Sequence, residues 1–553
     1  MSEYCLGLEF LGNCKYLPDQ PSWRIISIGD TITTIALLMT FTQLLSLTKK
    51  ETIYHALKNS YLFWIGAVLL IIISSILPIL PGEAIPILGY PIAWEFCAAI
   101  LLIGVITYVI IKYRSPLKFS PRTAKSTIGS VTRIIARGDS KDHAELAEHL
   151  TPAVPDIIDW LQKHSNFKEY LAKEEGIEYK IEETTSDAIH LIRVLADPFF
   201  CSSLVQREPG FIIRLFHDIA GSNLSGEVTR PFVWEIVKQA LANKSSILFR
   251  ERSYSGLGLR KEFLNSTFSN CEFTEKTYPL SHWFPLLNKD MDDETFQAFA
   301  DCFLMICDSY FSQQRFYEHS FIIQAPGNTI AEFPRSAIYS IDKISKDEVY
   351  SSPACSYLQI SCATIKKLIT KTLESSLAND NSYHEYISKI DNKKDCTIIN
   401  KISEWSYELL ESASYTRIHD FVLRSSLIEL WLAIYPIGEE DHILLKEIRK
   451  RFELKIMAQL KVNFEEGLYP AISRPVITTL GLYYMQDEKP ESQFRRQVLD
   501  YLKDNFLALY RQNKEQALDK LPSNIIFKEE ENCLVQTIYK GNIRKILLNG
   551  NIA

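Results

Sequence analysis

The residues best suited to hold an anion fall in one short stretch, where Arg250, Arg252, Gly256, Gly258, Arg260 and Lys261 follow one another. Backbone N–H groups at a glycine-rich turn before a helix can cradle a phosphate or a lipid headgroup, and flanking cations would add charge. A third spaced glycine and a preceding strand are missing, so a plain turn ahead of a helix is the competing reading. The chain has no phosphate-binding loop, no G-x-S-x-G elbow, no H-E-x-x-H and no kinase signature, which removes several large enzyme classes. His143, His217, His419 and His442 each adjoin an aspartate. Neighbours on a helix diverge by about 100°, so none of these pairs is a preformed dyad. Glu145 and His149 stand one helical turn apart and offer two metal ligands, short of a site. No metal and no cofactor is expected. The acidic run before Asp293 lacks the glycine and final glutamate of an EF-hand and instead suits the positive end of a helix.

A second group of polar residues is notable for its surroundings. Ser27, Asp30, Thr31 and Thr34 share one helical face of an apolar segment, and Glu95 interrupts another. Hydroxyls in such segments commonly bond to a neighbouring helix or to their own backbone. A carboxylate inside a membrane is costly enough to suggest function, and an acidic ring at a pore mouth would favour cations.

Three apolar segments must position these groups: residues 25–47, 61–80 and 92–111. Crossing a hydrocarbon core of about 30 Å takes roughly 20 apolar residues, which each provides. The first is the most polar of the three. The loop after it carries Lys49, Lys50 and Lys58, and the third segment is followed by Lys112, Arg114, Lys118 and Arg122. The connector between the second and third has no basic residue. Positive charge kept inside then predicts residues 1–24 as an extracytoplasmic tail, residues 25–112 as the membrane region, and everything beyond in the cytoplasm, in an inner (plasma) membrane. Cys5 and Cys14 would face an oxidising compartment, either joined as a disulfide or as free thiols. None of the 11 cysteines forms a C-x-x-C pair, which argues against structural zinc.

Beyond Lys112 the chain reads as mainly α. Helical spacing predicts helices from about Asp293 to Gln314, Thr416 to Ile434, Asp441 to Phe464 and Ser492 to Lys514. Residues 321–358, rich in turn formers, read as a linker or small β element between helical regions 113–320 and 359–553, and the tail from Asn524 as a hairpin or short helices. The net charge of -7 gives no overall case for nucleic acid. The mean hydropathy of -0.04 blends two unlike parts. The expected protein is therefore a multi-pass membrane protein whose partners are the bilayer and a cytoplasmic protein or further copies of itself. A helical module that binds, scaffolds or senses comes first among the functional readings. A channel or membrane-perturbing effector gated by that module comes second, and a tethered enzyme acting on a phosphate-bearing or lipid substrate third.

Overall fold

A computed structural model describes residues 46–58, 60–73, 91–114, 123–164, 183–253, 260–281, 291–313, 320–375, 397–416, 420–436, 442–466, 471–482, 489–537 and 543–548, with scattered single positions between. The chain is mainly helical and divides into two compact units, Met1–Ile236 and Val237–Ala553. The division lies far from residues 321–358, where a boundary was expected.

In the first unit, α1 (Leu47–Lys58), α2 (Tyr61–Ile71) and α3 (Pro91–Arg114) precede a packed set: α4 (Ala124–Arg137), α5 (Ser140–Leu150), α6 (Val154–His164), α7 (Glu183–Leu195), α8 (Pro198–Arg207) and α9 (Pro209–Gly221). Local chemistry sets these ends. Asp139 and Asp142 form a reciprocal capping box at the start of α5. Asp197 accepts the N–H groups of Phe199 and Phe200 at 3.0 and 2.9 Å, with Pro198 in the first helical position. Leu161, Phe200, Leu204, Ile212 and Phe216 close the core.

Helix α10 (Gly226–Ala242) leads into the second unit, which holds α11 (Ile247–Ser253), α12 (Glu262–Phe268), α13 (Cys271–Thr277), α14 (Asp293–Ser312), α15 (Phe321–Ile338), α16 (Lys346–Val349), α17 (Pro353–Glu374), α18 (Ile398–Ala413), α19 (Asp420–Ile434), α20 (Ile443–Glu465), α21 (Ser473–Leu480), α22 (Pro490–Gln512) and α23 (Lys514–Asp519). Strands β1 (Ile525–Lys528), β2 (Cys533–Thr537) and β3 (Ile543–Leu547) follow as an antiparallel meander in the order β1-β2-β3. Ile526 pairs with Val535, and Val535 with Lys545.

The expected linker or β element at 321–358 is instead helical: α15, a turn at Ile341–Lys343, α16 and the start of α17. Pro326 and Pro334 lie inside α15, and each costs about 3 kcal/mol through a lost N–H and a clash with the preceding turn. Burial of Ile322, Ile323, Ile330 and Phe333, at roughly 1.5–3 kcal/mol each, outweighs them. The close fit centres on Trp405 of α18, which is fully buried. Its indole lies where a β-carbon on Gly327 would be, its Nε1–H donates to Asn328 Oδ1 at 2.8 Å, and it meets the Phe303 ring edge-on at 5.9 Å.

Of the expected spans, α2 covers Tyr61–Ile71 among the described residues of 61–80, and α3 covers all of 92–111. Most of 25–46 and all of 74–90 lie outside the described residues. Among the described residues no single helix is long and apolar enough to cross a membrane. One bent pair, Asp187–Leu195 with Pro198–Arg207 at 59°, passes by length and composition. Leu191, Ile192, Phe200 and Leu204 bury it in the core of the first unit.

Gly327→Ala drives a methyl into Trp405 and should cost about 1–3 kcal/mol or more, as overpacking does. Gly129→Ala, on α4 with nothing within 4 Å, should be neutral or slightly stabilising. Urea denaturation of the full chain in mild detergent compares the two.

Candidate functional site

Helix α1 is pinned to the helices that follow α3 in sequence. The Leu47 N–H donates to Asp142 Oδ1 at 3.0 Å, and the buried Thr48 hydroxyl donates to the Asp142 carbonyl at 2.8 Å. Asp142 Oδ2 accepts the Asp139 N–H of the capping box at 3.3 Å, so one carboxylate serves the starts of both α1 and α5. Lys49 pairs with Glu145 at 2.8 Å, and Arg133 reaches Glu51 with Nη2 at 2.8 Å and Nε at 3.1 Å. Burial pushes the Glu145 carboxyl up, but Lys49 and Ser46 outweigh it and leave its pKa lowered. Glu145, considered above with His149 as a metal ligand, is engaged by Lys49. Among the described residues no cluster of three or more His, Cys, Asp or Glu could hold a metal.

From α1 the chain enters α2, which runs antiparallel to α3. Ser60 caps α2 and accepts the Tyr108 hydroxyl at 2.7 Å, Phe63 stacks on Tyr108 at 6.4 Å, and a β-carbon on Gly66 would lie 3.7 Å from Val105. The outer faces are apolar: Trp64, Ile65, Val68, Leu69 and Ile72 on α2, and Phe96, Ile100, Ile103, Ile110 and Ile111 on α3, are all exposed. No charged residue occurs between Tyr61 and Ile72 or between Phe96 and Ile111.

The anion segment is differently arranged from what its composition suggests. Glu251 lies between Arg250 and Arg252 and accepts the N–H groups of Phe263 and Leu264 at 3.0 and 2.9 Å. The first-turn donors of α12 that an incoming phosphate would use are thus bound to an internal carboxylate, whose pKa burial raises despite those bonds. Arg252 is paired with Asp301 at 2.7 Å and lies over the Phe249 ring. Arg250, Arg260 and Lys261 are exposed, while Gly256 and Gly258 lie outside the described residues. Ser27, Asp30, Thr31, Cys5, Cys14, Lys118 and Arg122 also lie outside them. Thr34 is helical and half-buried. Glu95, Lys112 and Arg114 fall on the backbone of α3, with side chains outside the described part.

Two further groups are legible only in three dimensions. His143 is buried between Phe199 and Phe200, with Nδ1 3.4 Å from the Ser203 hydroxyl and Nε2 3.2 Å from the Ile135 carbonyl. A serine beside a histidine has the elements of a nucleophile and base, but neither side chain is accessible to a substrate and Ser203 also donates to the Phe199 carbonyl at 2.9 Å. The pair holds α5 to α8.

On α18, Glu404, Glu408 and Glu411 recur at helical spacing where α15 and α20 pack against it. Glu411 takes Arg335 of α15 at 2.5 Å and the Tyr407 hydroxyl at 3.2 Å. Glu404 takes Lys401 at 2.7 Å and Lys455 of α20 at 3.3 Å. Glu408 is treated differently, its Oε2 buried without a hydrogen-bond partner. Burial first, then Glu332 and Glu404, push its carboxyl up to about 7, against the pull of Arg335 and Lys455. Protein-family models, curated proteins and solved structures show no match to this chain.

Unfolding returns Glu408 to its ordinary value of 4.5, so the folded chain holds the extra proton between about pH 4.5 and 7. Stability should fall as pH rises through that window and level off above it. Glu408→Gln removes the loss. The variant should exceed the natural chain at pH 8 by on the order of 1–3 kcal/mol and match it more closely at pH 5, as read by denaturant midpoints.

Proposed function

We propose that the α2–α3 pair enters a lipid bilayer and anchors a helical module that binds a partner or senses a state on the inner side of a plasma membrane. The observation that carries this reading is the charge-free outer surface of the pair, exposed from Trp64 to Ile72 and from Phe96 to Ile111. Left in water, such side chains forgo about 25 cal/mol for each Å² that could be buried, and a bilayer can cover both outer faces at once. The root of the pair supports the orientation. Helix α1, with Lys49 and Lys50, is tied by ion pairs to α4 and α5, so the positive loop before α2 and the chain after α3 lie on one side. The side chains that are brought together elsewhere, Glu251 with α12, Arg252 with Asp301 and Arg335 with Glu411, hold helices to one another. That arrangement suits a scaffold presenting surfaces to a partner, a second copy or a cytoplasmic protein.

Alkaline carbonate extraction of membranes from a bacterial host expressing the full chain tests the anchor. The protein should remain in the pellet, and Val68→Lys with Ile103→Lys, each costing about 3 kcal/mol at mid-bilayer, should release a substantial fraction. Recovery of the unaltered chain in the detergent-free supernatant would overturn the reading.

A further inference from the structure

The side chains along the α2–α3 pair change character with distance from its root. At the root stand the ion pairs of α1, Lys49 with Glu145 and Glu51 with Arg133. Next comes a level of large amphipathic rings: Tyr54 on α1 is 60% exposed, Tyr61 85% and Trp64 55%. Tyr108, whose hydroxyl is bonded to Ser60, lies at the same level on α3. Beyond it the exposed side chains are Ile65, Val68, Leu69 and Ile72 on α2, and Ile103, Ile100 and Phe96 on α3, where the exposed Ile110 and Ile111 stand on the root side of Tyr108. At 1.5 Å per residue the stretch from Tyr108 back to Phe96 is about 18 Å long, more than half of a hydrocarbon core.

Tyrosine and tryptophan prefer the boundary between headgroups and acyl chains, where the ring is shielded and the polar atom stays wet. An ordinary protein partner would give no reason for the ordering of charge, amphipathic ring and aliphatic chain that runs through α1 and α2, from Lys49 and Glu51 through Tyr54, Tyr61 and Trp64 to Ile65, Val68, Leu69 and Ile72. A bilayer has the same ordering from its surface inward. The inner face of α1 is meanwhile occupied, since Ile53 and Thr48 are buried while Tyr54 points out.

We propose that Tyr54, Tyr61 and Trp64 form an interfacial belt that sets the depth of insertion, with α1 lying at headgroup level and the first unit resting on the membrane surface. This rests on the anchoring proposed above. It goes further in fixing which residues meet the headgroups, and it makes the first unit a surface-bound body instead of one on a free tether. Helix α1 is the element that enforces this, because its start is clamped by Asp142 and its end leads directly through Ser60 into α2.

Quenching of tryptophan fluorescence by brominated lipids tests the depth. The full chain is reconstituted into phosphatidylcholine–phosphatidylglycerol vesicles containing lipids brominated either close to the headgroup or close to the chain end. The Trp64 signal is the difference between the natural chain and Trp64→Phe, and Val68→Trp in the Trp64→Phe background supplies a probe one turn deeper. Trp64 should be quenched about twofold more by the shallow bromine, and the tryptophan at 68 more by the deep one. Equal or stronger quenching of Trp64 by the deep bromine, with the probe at 68 also quenched, overturns the belt and leaves the anchor standing. Quenching of neither probe by either lipid overturns the anchor as well. A variant that does not fold is recognised by its far-ultraviolet circular dichroism, and Tyr61→Trp in the Trp64→Phe background then takes its place with the same expected preference for shallow bromine.

Discussion

A single carboxylate joins the apolar pair to the rest of the first unit. Asp142 completes the capping box of α5 with one oxygen and takes the first N–H of α1 with the other, while its carbonyl holds the Thr48 hydroxyl. Helix starts leave unsatisfied donors, and here two starts are satisfied together. Without this arrangement α1 would be tied to α4 and α5 only by side-chain ion pairs and packing. With it the pair is held from both sides, and Lys49–Glu145 and Arg133–Glu51 fix the angle at which α1 lies.

The second unit is organised by a steric constraint instead. Trp405 occupies the space that any side chain at Gly327 would need, so its indole seats directly against the α15 backbone. The packing of α15 on α18 brings Glu332 and Arg335 of α15 to the acidic face of α18. Arg335 neutralises Glu411, and the lysines at 401 and 455 neutralise Glu404. Glu408 is left with burial and two like-charged neighbours, which is why its proton is held to near neutrality. Packing in one place has thus determined electrostatics one turn away.

How much of this could be read from residues alone follows from the range over which each signal acts. Helices such as Asp293–Ser312, Ile443–Glu465 and Pro490–Gln512 carry their own evidence in apolar periodicity, and their ends fall within a few residues of expectation. Helix α15 defeats local reasoning, because Pro326, Gly327 and Pro334 all argue against a helix and only burial against α14, α17 and α18 reverses them. The Asp142 clamp joins residues 95 apart in sequence, a separation at which no spacing rule applies. Glu251 stands between Arg250 and Arg252, two of the residues suited to anion binding. Its role depends on where the chain returns at Phe263, which composition does not encode. The three-stranded tail shows the intermediate case, with alternation strong enough to suggest pairing and too short to decide between a hairpin and helices.

The clamp at Asp142 also imposes an order in time. A ribosome releases α1 long before it has made α5, so the donors of Leu47 and Thr48 and the charges of Lys49 and Glu51 emerge with no partner. Closing a loop of that length costs little more than closing one half as long, because the entropy grows only logarithmically. The contact therefore forms only after α2, α3 and α4 have been made, and without a steep penalty. Any segment spliced between α2 and α3 would delay the closure but hardly weaken it, whereas a residue inserted inside α1 would rotate every later contact by about 100° and misalign the join.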